Sequence, residues 1–154
     1  MSRVLIIGYG NPLRSDDGVG WRVAEELERK LSGRGVEVIT RHQLTPELAD
    51  MVRGSMVVLF VDAECDGLPG TVTCSRVRPL APTDPFSHQL SPGAVLGLAQ
   101  ELYGKIPPAF TFSICGECFE VGETLSPQVT ENLTGLVAQV AAMACAPDID
   151  SPTK

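Results

Sequence analysis

Two adjacent carboxylates, Asp16 and Asp17, lie in a glycine-rich segment, residues 8–20, that joins an apolar stretch to an amphipathic one. Neighbouring like charges raise the free energy of a folded chain unless a cation or hydrogen bonds offset them. In an open α/β sheet, the loop that follows a buried strand is the usual place for ligand chemistry. The segment therefore predicts a functional loop whose carboxylates can bind a cation.

Two further residues extend this candidate site. Asp62 ends the most apolar segment of the chain, and His88 lies in a proline-containing loop just before a predicted helix. The first and third strands of such a sheet are neighbours, so we expect both acidic positions at its carboxyl edge. The loop is long enough to bring the imidazole of His88 to the same edge. Two carboxylates and one imidazole form an open donor set for a divalent metal, and nickel, zinc, manganese and iron all fit it.

Each of these residues also has a simpler structural interpretation. Asp16 or Asp17 can cap the following helix and interact favourably with its dipole. Asp62 can be a turn residue at the end of a strand, and a lone histidine in a loop is usually solvated or hydrogen-bonded. Their joint placement near one edge of the sheet favours a metal site over separate structural roles.

Hydrophobic patterning predicts the strands that position these residues. Short apolar runs bounded by turn residues are typical of strands, and a weaker alternating run is typical of an edge strand that can pair antiparallel. The predicted strands, with the weak edge strand fourth, are 3–8, 36–40, 55–63, 71–77 and 109–115.

Periodicity and capping residues predict the helices. Apolar residues recur at every fourth position from Val19 to Leu31, which indicates a surface helix. Thr45, Ser91 and Ser126 each precede a proline, the order that opens a helix, and the helix after Ser91 should end at Gly104. The order βαβαββαβα predicts a single three-layer α/β/α domain with a mostly parallel, twisted five-stranded sheet and helices on both faces.

Length and composition limit the class of protein. The 154 residues, 44% of them hydrophobic, fit one domain over 1–146 with a frayed tail over 147–154. The formal charge of −7 and the lack of a dense basic run argue against a nucleic-acid partner. No apolar run has the length of a signal-peptide core or a membrane span, and five cysteines, an odd number, favour free thiols. We therefore expect a cytoplasmic protein, a monomer without membrane contacts.

These motifs resemble those of the hydrogenase maturation proteases, endopeptidases that remove the C-terminal extension of the nickel-iron hydrogenase large-subunit precursor. The resemblance extends from about residue 4 to residue 140 in matching order. The matching blocks are Gly8-x-Gly10-Asn11-x-Leu13-x-x-Asp16-Asp17-x-x-Gly20, Val61-Asp62-Ala63, Ser87-His88-Gln89-Leu90-Ser91 and Gly122-Glu123-Thr124-Leu125-Ser126-Pro127.

Carried over by position, the resemblance implies the site and the substrate. Asp17, Asp62 and His88 would be both the catalytic residues and the metal ligands, with Asp16 as a supporting neighbour. The metal implied is nickel that the precursor already carries, so the protease would inspect its partner for nickel before it cuts. Whether the nickel acts in the chemistry or only positions the substrate stays open at this stage.

Two features fall outside the matching blocks. Cys115-Gly116-Glu117-Cys118 stands where such proteins commonly have apolar and proline residues. Because a single C-x-x-C pair without a second pair is weak evidence for metal binding, we expect one buried and one half-buried thiol. His42, at the same predicted edge, can touch substrate, although packing or hydrogen bonding is the favoured role.

Three other classes of protein compete with the protease interpretation. A dinucleotide-binding fold would need a small residue where Leu13 stands. A phospho-receiver module also has an acidic pair and a strand-end aspartate, but it needs a lysine after its last strand, and the nearest lysine, Lys105, precedes that strand. A nickel carrier without enzymatic activity would share every predicted ligand.

Overall fold

The described part of the chain, residues 3–81 and 90–146 of a computed structural model, alternates strands with helices in the predicted order. The strands are β1 (Val4–Tyr9), β2 (Val36–Arg41), β3 (Val57–Glu64), β4 (Val72–Arg76) and β5 (Ala109–Cys115). The helices are α1 (Val19–Lys30), α2 (Leu48–Arg53), α3 (Pro92–Tyr103) and α4 (Pro127–Cys145), and a 3-10 turn (Ser15–Gly18) precedes α1.

The strands form one five-stranded sheet in the order β2-β1-β3-β5-β4. All pairs are parallel except β4 with β5, which is antiparallel and places β4 at the edge. The predicted fold class, including the weak edge strand, is therefore confirmed. The central position of β3 follows from its composition, since a strand with apolar residues on both faces must be covered on both.

Alternating residues of the central strands supply two separate cores. Val4 and Ile6 face α1 and α4, whereas Leu5 and Ile7 face α2 and α3. The apolar stripe predicted from Val19 to Leu31 packs in the first of these cores, and all four of its residues are buried. Asp62 continues the series of buried residues that faces α2 and α3, which directs it toward that side of the carboxyl edge.

Two glycines let the end of β1 and the start of α1 approach closely. A Cβ on Gly8 would lie 2.1 Å from the carbonyl oxygen of Gly20, and a Cβ on Gly20 would lie 2.6 Å from that of Val61. Both distances are too short for any side chain. These two glycines therefore fix where the segment between them, which carries Asp16 and Asp17 and is called the acidic loop below, begins and ends against the sheet.

The predicted helix starts are correct in two cases and wrong in one. The Ser91 hydroxyl accepts a hydrogen bond from the Ala94 N–H at 3.1 Å, and α3 ends at Gly104, whose φ is 88°. Ser126 occupies the cap position of α4, but no cap bond from its side chain is present. The start at Thr45 is wrong, because α2 begins only at Leu48 after a turn in which the Leu48 N–H bonds the Thr45 carbonyl.

Some predictions fall outside the described residues. His88 and the tail 147–154 belong to this group. The single domain over 1–146 stays a prediction. Among the residues that the structure describes, no helix has both the length and the apolar character needed to cross a membrane.

Candidate active site

A cleft of about 180 Å³ lies at the carboxyl edge of the sheet, beyond the ends of β1 and β3. Asp17 and Asp62 both line it, so the structure brings the two predicted carboxylates to one cavity. The described residues that line the cleft are Tyr9, Gly10, Asp17, His42, Gln43, Leu44, Asp62, Ala63 and Leu90. Leu90 directly follows the segment that contains His88.

The carboxylate of Asp62 is held by two hydroxyl groups. Tyr9 donates a hydrogen bond to Oδ2 at 2.9 Å, and Ser113 donates one to Oδ1 at 2.6 Å. Burial raises the pKa of Asp62, although the Ser113 and Tyr9 hydroxyls oppose this shift. The nearby charges of Glu64 and Asp17 raise the pKa further. Asp62 is therefore a partly desolvated carboxylate of fixed orientation.

Tyr9 contributes both a hydroxyl group and a wall to the cleft. Its ring contacts Phe60 edge to face, with the ring centroids 6.5 Å apart. Burial raises the pKa of Tyr9 well above its usual value, and the charges of Asp62 and Asp17 add to the shift. The phenol therefore stays protonated and acts as a hydrogen-bond donor at any physiological pH.

Asp17 is held by the main chain. Its Oδ2 accepts a hydrogen bond from the Asn11 N–H at 2.7 Å. The turn between them depends on Gly10, which has a φ of 136° and whose Cβ, if present, would lie 2.2 Å from the Asp17 carbonyl oxygen. A carboxylate oxygen retains lone pairs after one such bond, so Asp17 can still accept a cation.

Asp16 points away from the cleft and is fully buried, with 0% of its surface exposed. Oδ2 accepts hydrogen bonds from the N–H groups of Glu117 at 2.7 Å and Cys118 at 3.0 Å, and Oδ1 accepts one from Ser126 at 2.7 Å. Burial alone would raise the pKa of Asp16, but these backbone donors hold it below its ordinary value. Neither acidic residue caps α1, whose cap residue is Gly18.

The segment 116–126 is therefore attached to the acidic loop. Besides the bonds to Asp16, the Ser15 N–H donates to the Gly122 carbonyl at 2.8 Å, and the Gly122 N–H donates to the Leu13 carbonyl at 2.9 Å. The Ser15 hydroxyl donates to the Glu120 carbonyl at 2.7 Å. Ser15 has a φ of 53°, a strained value for a residue with a side chain. Asp16, for which the family resemblance implied a supporting role, thus holds the segment 116–126 against the acidic loop through its carboxylate.

His42 packs on Trp21 at the opposite side of the cleft from β3. Their ring centroids are 5.3 Å apart with an interplanar angle of 79°. The Trp21 indole N–H donates to the carbonyls of Gly10 at 2.9 Å and Arg41 at 3.2 Å. His42 thus has a ring contact with Trp21, and its exposed side chain also lines the cleft, where contact with a substrate stays a prediction.

The two cysteines of the C-x-x-C pair are free thiols, one buried and one half-buried, as expected. The Cys115 thiol donates to the Asp66 carbonyl at 3.3 Å, and burial raises its pKa. Within residues 3–81 and 90–146, no group of three or more His, Cys, Asp or Glu side chains is placed to hold a metal ion. The third predicted ligand, His88, lies outside these residues, so the predicted three-ligand set stays a prediction.

Sequence reasoning did not identify Tyr9 and Ser113 as partners of Asp62. A signal was present, since Ser113 is a polar residue within an apolar strand. It became interpretable only with the register, which pairs Asp62 with Ser113 across β3 and β5.

Comparison with known proteins gives matches among solved structures. The hydrogenase maturating endopeptidase HybD from E. coli is 25% identical, with a TM-score of 0.72 over 91% of this chain and 90% of that one. The [NiFe] hydrogenase maturation protease HycI from Thermococcus kodakarensis is 23% identical, with a TM-score of 0.72 over 91% and 90%. HybD from the same archaeon is 24% identical, with a TM-score of 0.70 over 92% and 99%. No protein-family model and no curated protein matches the chain.

The fold and these likenesses define the class of the protein as an α/β/α peptidase. The chain is similar to hydrogenase maturation proteases over nearly its whole length, in agreement with the resemblance of the sequence motifs. The three neighbours named above each cover 91% or 92% of this chain.

Proposed function

We propose that this protein is the endopeptidase that removes the C-terminal extension of a nickel-iron hydrogenase large-subunit precursor after nickel has been inserted. Asp17, Asp62 and His88 would recognise the nickel that the precursor carries. The observation that supports this function most strongly is the convergence of Asp17 and Asp62, 45 positions apart in the sequence, on one cleft. The substrate class comes from the family likeness.

The donor chemistry of the cleft suits a metal that arrives with a substrate. Carboxylate oxygens and an imidazole nitrogen bind divalent nickel, and three protein ligands leave coordination positions open. Such a set binds a free ion weakly, because much of the coordination is missing. A precursor that supplies the remaining donors binds more tightly than one without nickel, and this difference in affinity provides the inspection step.

The carboxylates of the cleft support a mechanism of peptide hydrolysis. A nickel ion of the substrate, held at this edge, would polarise a neighbouring carbonyl or lower the pKa of a water molecule. A carboxylate of the cleft would accept the proton of the attacking water.

The phospho-receiver alternative fits the structure less well. Receiver folds such as CheY have the strand order 2-1-3-4-5, as the flavodoxin-like class does. Here β5 lies between β3 and β4, and β4 is antiparallel. Asp62 is also bonded on both oxygens by hydroxyl groups of the protein. Absence of acetyl-phosphate labelling at Asp62 is the expected result.

Cleavage of nickel-loaded precursor by purified variants tests the function. Asp17→Asn, Asp62→Asn and His88→Ala should each abolish release of the extension while the variants stay folded, because each change removes one donor. Asp50→Asn is the matched control, since Asp50 is exposed on α2 and pairs only with Arg53 among the described residues. This variant should cleave at the wild-type rate.

Two results would contradict the proposal. Cleavage by Asp62→Asn at the wild-type rate would remove this residue from the site. Binding of nickel-loaded precursor by the wild type without any cleavage would identify a carrier rather than a protease. The cytoplasmic location and the monomeric state also belong to the proposal, and fractionation of cells and size-exclusion chromatography test them.

A further inference from the structure

Two hydroxyl groups, on the two strands that flank β3, converge on one carboxylate of the cleft. Tyr9 is the last residue of β1, and Ser113 lies in β5, so they reach Asp62 from the two strands that flank β3. Ser113 is the cross-strand partner of Asp62, and it is buried. Neither hydroxyl has a place in the metal recognition or the hydrolysis described above.

The two hydrogen bonds fix the plane of the Asp62 carboxylate. The torsion that rotates an aspartate carboxylate has a broad energy minimum, so one contact leaves the group free to turn. Here the Tyr9 hydroxyl lies 2.9 Å from Oδ2 and the Ser113 hydroxyl 2.6 Å from Oδ1. An ionised carboxylate has about four acceptor sites, so one bond on each oxygen leaves each oxygen able to bind a cation.

We propose that Tyr9 and Ser113 are positioning residues, which orient the Asp62 carboxylate toward the nickel ion of the substrate. This inference rests on the proposed function. Hydrogen-bond partners of ligating carboxylates commonly set the orientation of the ligand, and their loss typically lowers metal affinity by about 10- to 100-fold. Tyr9 also lines the cleft, so its ring limits the space in which the ion and its ligands sit.

The two carboxylates of the cleft are supported in different ways. Asp17 is bonded by a backbone N–H, which no side-chain substitution removes. Asp62 is bonded by two side chains, and both can be removed with little change of shape. The orientation of Asp62 is therefore open to a direct test, and Tyr9→Phe is the cleanest substitution because it deletes a single oxygen.

The first measurement is calorimetric titration of the protein with Ni²⁺ alone, at millimolar concentration. Tyr9→Phe and Ser113→Ala should each weaken Ni²⁺ binding by about 10-fold. Ser113→Thr, which keeps the hydroxyl, should restore it. Tyr103→Phe is the matched control, because Tyr103 is exposed and lies under the Arg53 guanidinium, 4.3 Å from the ring centroid. This control should bind Ni²⁺ as the wild type does.

The second measurement is the kcat/KM of cleavage of nickel-loaded precursor, together with thermal unfolding. Positioning predicts that kcat/KM falls about 10-fold for both variants, in line with the loss of Ni²⁺ affinity. A purely structural role predicts a lower melting temperature with unchanged Ni²⁺ affinity. That second pattern would overturn the inference.

The Asp62→Asn variant separates failure of the inference from failure of the proposed function. If Asp62→Asn loses Ni²⁺ binding while Tyr9→Phe and Ser113→Ala bind as the wild type does, only the positioning role is wrong. If Asp62→Asn binds Ni²⁺ unchanged and also cleaves nickel-loaded precursor at the wild-type rate, the proposed function fails and the inference fails with it. If the wild type binds no Ni²⁺ without precursor, the kcat/KM comparison decides the positioning role.

Discussion

Removal of the Asp16 carboxylate should destabilise the protein through a segment about one hundred residues away. Three backbone N–H groups, those of Glu117, Cys118 and Ser126, donate to this one fully buried side chain. Asp16→Ala leaves all three without their acceptor. Asp16→Asn keeps the shape but replaces one acceptor oxygen with an NH₂ group, which faces a donor.

The size of the effect follows from the number and type of the bonds. A hydrogen bond to a charged group contributes about 1.5–3 kcal/mol, and an unsatisfied buried donor costs about 1–3 kcal/mol. These contributions are not additive, because water can enter once the loop moves. We expect a decrease in the free energy of unfolding of about 4 kcal/mol for Asp16→Ala and about 2 kcal/mol for Asp16→Asn. Asp50→Asn should change it by less than about 1 kcal/mol.

The pH dependence of stability provides a second, independent signature. The folded-state pKa of Asp16 lies below its unfolded value of about 3.9. The unfolded chain therefore binds more protons, and stability rises with pH across this interval. The contribution of Asp16 is fully present above the unfolded-state pKa and is lost as the pH falls through the folded-state pKa. The difference between wild type and Asp16→Asn should be constant near pH 7 and shrink below about pH 4.

Urea denaturation at several pH values measures this difference, and hydrogen exchange locates it. Exchange of the amides of Glu117, Cys118 and Ser126 should be fast in the variant and slow in the wild type. Equal unfolding midpoints for wild type and Asp16→Asn at pH 7 would refute the reasoning. A difference that persists undiminished at low pH would refute the assignment to the ionised carboxylate.

Three further predictions concern packing, capping and thiol chemistry. Gly20→Ala should lower the free energy of unfolding by at least about 3 kcal/mol, because its Cβ would lie 2.6 Å from the Val61 carbonyl oxygen. Gly135→Ala, whose Cβ would have no atom within 4 Å, should stabilise α4 by up to about 1 kcal/mol. Urea unfolding of the two variants compares these effects. Ser91→Ala should lower the free energy of unfolding by about 1 kcal/mol, because it deletes the hydroxyl that caps α3. Thermal unfolding measures this loss. Cys115 should react with a maleimide only after unfolding, because it is buried and its pKa is raised, whereas rapid labelling of the native protein, identified by mass spectrometry, would contradict its position.

The sequence predicted the elements well where local patterning decides them. Strand and helix order, the weak edge strand and the end of α3 at Gly104 all follow from residue types within one element. The helix start at Thr45 is wrong because a Thr-Pro pair is also compatible with a turn, and the Thr45 hydroxyl has no hydrogen-bond partner among the described residues.

The contacts of the site were less predictable because they depend on residues far apart in the sequence. The donors to Asp16 are 101 to 110 residues away from it and are backbone groups, which carry no signal in the side-chain sequence. The bond from Tyr9 to Asp62 spans 53 positions and requires the register of two strands. Asp17 and Asp62 were predictable as neighbours, since parallel strands β1 and β3 deliver their loops to one edge.

The most direct test of the central claim compares nickel-loaded with nickel-free large-subunit precursor as substrate for the purified wild-type protein. Recognition through Asp17, Asp62 and His88 predicts release of the C-terminal extension from the nickel-loaded form only. Cleavage of both forms at the same rate would contradict nickel recognition, and cleavage of neither would contradict the protease function itself.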